Sequence, residues 1–472
     1  MTLVGTSTSE SERLYEVARR YLPGGVSAAA RYHPALGRPF FAARGDGPRL
    51  WDVDGREYLD FHMSFGAGLL GHGHPAIRAA VRRALDMGIL CAFETEVHAE
   101  TARKITELVP CAELVRFTGS GTETTWHAVR TARVYTGRWK VVKFEGHFHG
   151  FSDVLGFSSW PPLDKAGPPD APARIPESAG IPPADAEAVI VLPWNDADAL
   201  ARCLDAHGRE IAAVIMEPIN YNSGGILPAP GYLEAARELT ARHGVVLIFD
   251  EILSGFRTGA SCAQGYFGVT PDMCTLGKCL GGGTPLSAFA GRRDIMEACA
   301  PIGLGVHSGT YNAHPIPVLA ANAFLDVVAD PAFWEDLRAK EAIFYPGLRE
   351  AFARAGVKVW VQATGARFNL LFGLDREPLS YREAARCDRT LEVAFYRAAL
   401  ERGIYFHYSW HHGFSAMHTA ADLEHALVEI EAAARSIART GASRRPDEAG
   451  RSRLEGPAPG GTRERGADLE GL

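Results

Sequence analysis

The chain has no Cys-x-x-Cys pair. Its eight cysteines are scattered, which excludes a disulfide framework and a cysteine zinc site and fits a reducing compartment. No apolar run approaches the roughly 18 residues of a membrane span. The first ten residues, Met1-Thr-Leu-Val-Gly-Thr-Ser-Thr-Ser-Glu10, have neither the basic start nor the apolar stretch of a signal peptide. Positive charge is in deficit, with 49 Lys and Arg against 56 Asp and Glu and a net charge of −7. That argues against a nucleic-acid binder relying on bulk positive charge. These absences lead us to expect a cytoplasmic protein with neither nucleic acid nor membrane as partner. The rest is ordinary for a globular chain, 46% hydrophobic and 22% charged over 472 residues, enough for two or three domains.

Periodicity organises what is there. Leu14, Val17, Ala18 and Tyr21 mark an amphipathic helix over 9–21, stopped by Pro23-Gly-Gly25. Asp54-Gly55, with apolar residues alternating around it, predicts a hairpin over 49–61. Short apolar runs at 114–117, 140–144, 188–192, 212–216 and 245–251 alternate with helical patterns at 76–85, from 120 to about 135, at 197–207 and at 232–243. That alternation signals an α/β fold with a mostly parallel sheet covered on both faces. Residues 156–185 are rich in proline, lack periodicity and read as a long, mobile surface loop. Helical patterns near 334–354, 380–402 and 420–437 predict a separate α+β domain from about 331 to 436. Residues 441–472 carry too few apolar side chains to repay ordering.

Polar loops follow four of the strands, at 118–123, 145–150, 217–224 and 250–257. Ligands of open α/β sheets sit at that edge. Beside it comes Thr275-Leu-Gly-Lys-Cys-Leu-Gly-Gly-Gly-Thr-Pro285. A lysine among glycines lets a flat cofactor approach the backbone, and desolvation turns its amine into a nucleophile toward aldehydes. The pattern points to a Schiff base from Lys278 to pyridoxal phosphate, with Asp250 under the pyridine nitrogen. The strand–turn–helix around Gly119-Ser-Gly-Thr122 forms an anion site to which Ser120 and Thr122 add hydroxyls, although serine and threonine are also ordinary helix caps. Phe148 or His149 could stack on a planar ring, or serve as an interior aromatic and a turn histidine. His72 and His74 lack a nearby acid or cysteine in the sequence, so a hydrogen-bonded loop is expected rather than a metal site. Arg31, alone in an irregular loop, reads as a solvated charge.

Eight segments occur in one order: Pro23-Gly-Gly-Val26, Leu50-Trp-Asp-Val-Asp-Gly55, Gly71-His-Gly-His-Pro75, Gly119-Ser-Gly-Thr-Glu123, Lys143-Phe-Glu-Gly146, Asp250-Glu251, Gly255-Phe-Arg257 and Leu276-Gly-Lys-Cys-Leu-Gly-Gly-Gly283. Together they resemble the class III aminotransferases of the fold-type I pyridoxal phosphate enzymes, and within them the glutamate-1-semialdehyde 2,1-aminomutase group, over roughly residues 10–437. The resemblance implies a large cofactor-binding domain over 76–328 with a mostly parallel seven-stranded sheet. It implies a smaller α+β domain built from 1–75 and 329–440, with 441–472 as a disordered tail. It also implies transfer of an amino group between an amino acid and a carbonyl compound by a ping-pong mechanism. Lys278 would carry the cofactor and move the proton, and Asp250 would keep the ring nitrogen protonated. Gly121 and Thr122 would hold the phosphate, Phe148 would stack on the ring, and Asn222 would lie near the phenolic oxygen. Glu217 would shape the site. Thr310 would reach the phosphate of a neighbouring subunit, so a homodimer is implied.

The substrate side departs from that group. Arg31 stands where the group keeps an arginine for the substrate carboxylate, but the preceding Asn-Ser-Pro is here Ser27-Ala-Ala29. The group's Ser-Trp-Gly is Ser64-Phe65-Gly66, and its glutamate-containing loop is Ser409-Trp-His-His-Gly-Phe-Ser415, which brings in His411 and His412. A lost acid and gained aromatics point to an aromatic, cyclic or β-amino acid. Glutamate-1-semialdehyde is the alternative, and a non-catalytic pyridoxal phosphate-binding protein a remote one. Arg367 is a second candidate for a carboxylate, with an internal salt bridge as its plainer role.

Overall fold

Val246–Glu251 is buried along its whole length, as is Ile211–Met216. Such continuous apolar strands need cover on both faces. In the computed structural model, which describes residues 9–88, 90–408 and 410–439, they lie in the middle of a seven-stranded sheet. In chain order its strands are β1 (Leu114–Thr118), β2 (Lys140–Phe144), β3 (Val189–Leu192), β4 (Ile211–Met216), β5 (Val246–Glu251), β6 (Met273–Leu276) and β7 (Ser287–Gly291). Their spatial order is β1-β7-β6-β5-β4-β2-β3. Every neighbouring pair is parallel except the two that β7 makes, with β6 and with β1. The C-terminal ends of six strands and the start of β7 therefore share one edge.

Helices follow from local signals. Ser120 caps Gly121–Thr136, and Gly137 ends it in the left-handed region at φ 67°. The helices at Ala197–His207 and Tyr232–His243 coincide with the sequence reading. The helix at Glu96–Leu108 was not legible in it. The pattern read as one helix over 380–402 is two, Tyr381–Ala384 and Arg389–Glu401, because Asp388 accepts the Leu391 N–H and starts a new helix. Residues 441–472 lie outside the described residues.

Three smaller sheets flank the large one. Ala42–Asp46, Arg49–Asp52 and Glu57–Asp60 form an antiparallel meander, and Ile404–Tyr405 adds to its last strand in parallel. Val359–Thr364, Arg367–Phe372 and His412–Gly413 form an antiparallel sheet, and Tyr32–His33 pairs with Arg38–Pro39. The largest apolar cluster unites the helices Pro315–Ala329 and Pro331–Ala355 with Phe61, Phe368 and Phe406. His72 is hydrogen-bonded, as the sequence reading expected of its loop, and its partner is an acid that the reading did not find nearby. Its Nε2 lies 2.9 Å from Asp60 Oδ2, so the loop histidine is tied to a strand end twelve residues earlier.

The proline-rich segment is also held more firmly than expected. Lys143, buried on β2, donates to the carbonyls of Leu155 and Phe157 and to Ser159 Oγ. Arg382 forms a two-pronged ion pair with buried Glu145, at 2.7 and 2.8 Å, and donates to the carbonyls of Ala166 and Gly167. Removing one member of a buried pair strands the other charge, at a cost of about 3 kcal/mol. Arg382→Ala should therefore lower the melting temperature and open residues 160–175 to limited proteolysis. Cleavage kinetics identical to wild type would refute this account of how the segment is held.

Candidate active site

The shared sheet edge encloses a cavity of about 220 Å³. Each strand end contributes to it. Gly121 and Thr122 follow β1, Phe148 and Gly150 follow β2, and Glu217 and Asn222 follow β4. Asp250 lies within β5, Lys278 follows β6, and Ser287 opens β7. The sequence reading missed Gly150, Ile252, Leu253 and Ser287. Ser287 was hidden because β7 runs the other way, so its first residue reaches the edge where the other strands end.

Asp250 is held from behind. His149 Nδ1 lies 2.7 Å from one carboxylate oxygen, while Thr275 Oγ1 and the Ile252 N–H donate to the other at 3.0 and 3.1 Å. Burial lowers the His149 pKa despite the carboxylate beside it, so a neutral imidazole donating from Nδ1 is the form that fits. His149 thus supports Asp250 rather than facing the cavity. Phe148 forms the wall, with Trp160 stacked behind it at 5.0 Å, and the Trp160 indole donates to the Asn222 carbonyl. Glu217 accepts from the Phe148 N–H and from Asn222 Nδ2, both at 2.8 Å. Burial pushes its pKa up to about 8, with Asp250 adding to the rise. Burial brings Lys278 down to about 8. Asp250 opposes the shift, and Arg367 and Arg257 reinforce it.

The residues present fit pyridoxal phosphate. The N-terminus of Gly121–Thr136 points free N–H groups into one end of the cavity. A Cβ on Gly121 would lie 2.9 Å from Ile252 Cδ1, and one on Gly150 2.7 Å from Thr122 Oγ1. Glycine at both places therefore lets the anion end form. A carboxylate, an aromatic wall and a desolvated lysine complete the donor set such a group requires. Ser120 departs from expectation. Its hydroxyl is spent on the Glu123 N–H as the helix cap, and Ser120 does not line the cavity.

A second cavity of about 290 Å³ lies beside the Ser64–Gly66 turn, which packs against the Lys278–Gly281 turn. Phe40, Phe41, Phe65, Tyr405, His62 and His407 give it aromatic walls. Arg31 stands on that wall, exposed, with Nη1 2.5 Å from Ser27 Oγ. The His411 ring lies 5.7 Å from Phe65. The His411 pKa falls well below the usual value through burial and the nearby charges of Arg367 and Lys278. His412 must be corrected. It is wholly buried, hydrogen-bonded to Tyr396 at 2.7 Å and packed on Phe406, so it belongs to the core. Thr310 is exposed, next to exposed Tyr311, and does not line its own chain's cavity.

A lysine and a strand-end aspartate facing one cavity across a mostly parallel sheet define a pyridoxal phosphate enzyme of fold type I. The sequence pattern of the family described as aminotransferase class III matches residues 29–409. The chain belongs to that family, whose cofactor is pyridoxal phosphate. It is similar to a glutamate-1-semialdehyde 2,1-aminomutase of Nitrosospira multiformis, 41% identical over 426 residues, covering 90% of this chain and 98% of that one. An omega-transaminase from Sphaerobacter thermophilus superposes with a TM-score of 0.87 at 34% identity, covering 92% of this chain and 99% of its own. A β-phenylalanine aminotransferase from Variovorax paradoxus superposes with a TM-score of 0.79 at 32% identity, covering 92% and 94%. Among the described residues no single helix is long and apolar enough to cross a membrane.

Lys278 is a nucleophile only as the free amine. In cofactor-free protein, its labelling by pyridoxal and borohydride should rise with pH and level off above about 8, rather than near the ordinary 10.5. Peptide mass spectrometry separates it from Lys143. A midpoint near 10.5 would show that the amine is solvated.

Proposed function

We propose that this class III aminotransferase acts on an amino acid bearing an aromatic ring, with β-aryl amino acids as its best substrates. The observation that carries this reading is the aromatic cavity packed against the lysine turn, with Phe65, His62 and His407 where an acidic side chain would be needed to favour a cationic or strongly polar substrate. The likeness to the Variovorax enzyme supports it.

When bound, pyridoxal phosphate supplies an aldehyde and an electron-withdrawing ring. The chain's own residues then divide the work. Gly121 and Thr122, at the helix N-terminus, would hold the phosphate, and Phe148 would wall the ring. Asp250, oriented by His149 and Thr275, would hold a proton on the cofactor's ring nitrogen. Glu217, fixed by Asn222, stays largely protonated near neutral pH and shapes the polar edge. Lys278 Nζ, with a pKa near 8, would take a proton as the free amine and give it up again as the ammonium, the acid–base work that amino transfer needs. Thr310, exposed beside the exposed Tyr311, would meet a second copy of the chain and complete that copy's phosphate site.

The 41% identity to an aminomutase favours a second reading, isomerisation of glutamate-1-semialdehyde. Against it stands the loss of the glutamate loop to Trp410-His411-His412. Absorption spectra of the loaded enzyme separate the two. β-Phenylalanine should bleach the visible cofactor band faster than glutamate-1-semialdehyde does, and Lys278→Ala should slow the response by about 10³-fold. Faster turnover of glutamate-1-semialdehyde than of any aryl amino acid would establish the aminomutase reading instead.

A further inference from the structure

Arg367 opens the strand Arg367–Phe372 and is only 1% exposed. It has no ion pair and, at Nε and Nη2, no hydrogen-bond partner among the described residues. The internal salt bridge expected of it is therefore not made. Its charged neighbours are cations. Burial and then Arg257 together bring its pKa down to about 9; Lys278 and His411 in turn feel its charge. Its closest aromatic contact is the Tyr221 ring, 5.9 Å from the guanidinium carbon. A desolvated guanidinium with idle donors is costly, and a flexible apolar side chain of similar length would serve the core better.

The two idle nitrogens are not a random pair. Nε and Nη2 form one edge of the guanidinium, the edge that grips both oxygens of a carboxylate. The same edge of Arg382 holds Glu145, and that of Arg13 holds Glu10. The remaining nitrogen, Nη1, is the crowded one. Gly66, at φ +87°, presents no Cβ, and one built there would run into Arg367 Nη1. The Arg257 guanidinium donates to the Gly66 carbonyl from the other side. Gly66 belongs to the turn that packs against Lys278 and carries Phe65 of the aromatic cavity. Arg31, by contrast, is exposed and already paired with Ser27.

We infer that Arg367, through Nε and Nη2, takes the carboxylate of the substrate beside Lys278, leaving the aromatic cavity for its side chain. This rests on the reading that the substrate is an amino acid. Here Arg367 is a specificity residue whose charge remains unmatched until an anion arrives.

The test uses cofactor-loaded wild type, Arg367→Met, Arg367→Lys and Arg31→Ala, with 3-phenylpropionate as a carboxylate probe that lacks the amine. Calorimetry should show binding weakened about 30-fold or more by Arg367→Met, partly restored in Arg367→Lys, and little changed by Arg31→Ala. Inorganic phosphate should not compete, which separates a carboxylate site from a general anion site. Without ligand, Arg367→Met should melt at or above the wild-type temperature, because it removes an unmatched buried charge; a structural arginine would give the reverse. The ratio of kcat/KM for β-phenylalanine to that for 1-phenylethylamine should fall in step with the binding loss. The inference is overturned by equal binding to wild type and Arg367→Met, by no binding to wild type, by phosphate competition, or by an Arg367→Met chain that fails to fold. Arg367-dependent binding of the probe in an enzyme that transaminates no amino acid would instead keep the carboxylate site and sink the proposed activity.

Discussion

An ammonium taken out of water must lose its proton or meet a counter-charge, and Lys278 is placed between those demands. Burial alone would strip the proton, Asp250 argues for keeping it, and Arg257 and Arg367 argue against. The result is an amine poised near 8, able to exist in both forms under ordinary conditions. Everything behind it serves to keep that balance still. Asp250 is gripped by three donors from three different elements, and Glu217 is fixed by a loop N–H and an amide. A site whose charges could drift would change its own pKa values as it moved.

Holding that arrangement costs conformational energy. Met63, Ser64 and Phe65 have φ of 47°, 55° and 55°, and Lys278 itself has φ 46°. Non-glycine residues in that region each cost on the order of 1–2 kcal/mol. Such strain persists where surrounding packing over-determines it. Here the two strained turns pack against one another, between the lysine cavity and the aromatic one. The left-handed run turns Phe65 toward His407 and His411, which an ordinary turn through the same residues would not do.

The large sheet was legible because its information is local. β-Branched runs, helix caps and polar loops at strand ends each announce themselves within a dozen residues, and together they point to the edge where Lys278 and Asp250 meet. What escaped depends on distant pairing. Ser287 reaches the cavity only because its strand is reversed. His149 looked like a stacking ring until its partner Asp250, a hundred residues on, came to lie beside it. Arg367 looked like half of a salt bridge, and only the fold reveals that its Nε and Nη2 find no partner among the described residues. His412 looked like a loop residue, yet its short strand pairs with the start of Arg367–Phe372 and carries it into the core.

The parallel pairing of Leu59 with Ile404 and of Asp60 with Tyr405 joins the two ends of the chain. The early strands are made long before their partner, so the edge of the meander is filled only by residues more than three hundred positions further on, while the lysine cavity is drawn from the middle of the chain. Tyr405 and His407 line the aromatic cavity with Phe65 and His62, His407 in ring contact with both, so that wall is shared between the two ends of the chain. Every residue that lines the lysine cavity lies before position 288, whereas the aromatic one draws on both ends of the chain, so a chain cut short of Tyr405 would keep the first lining whole and lose part of the second.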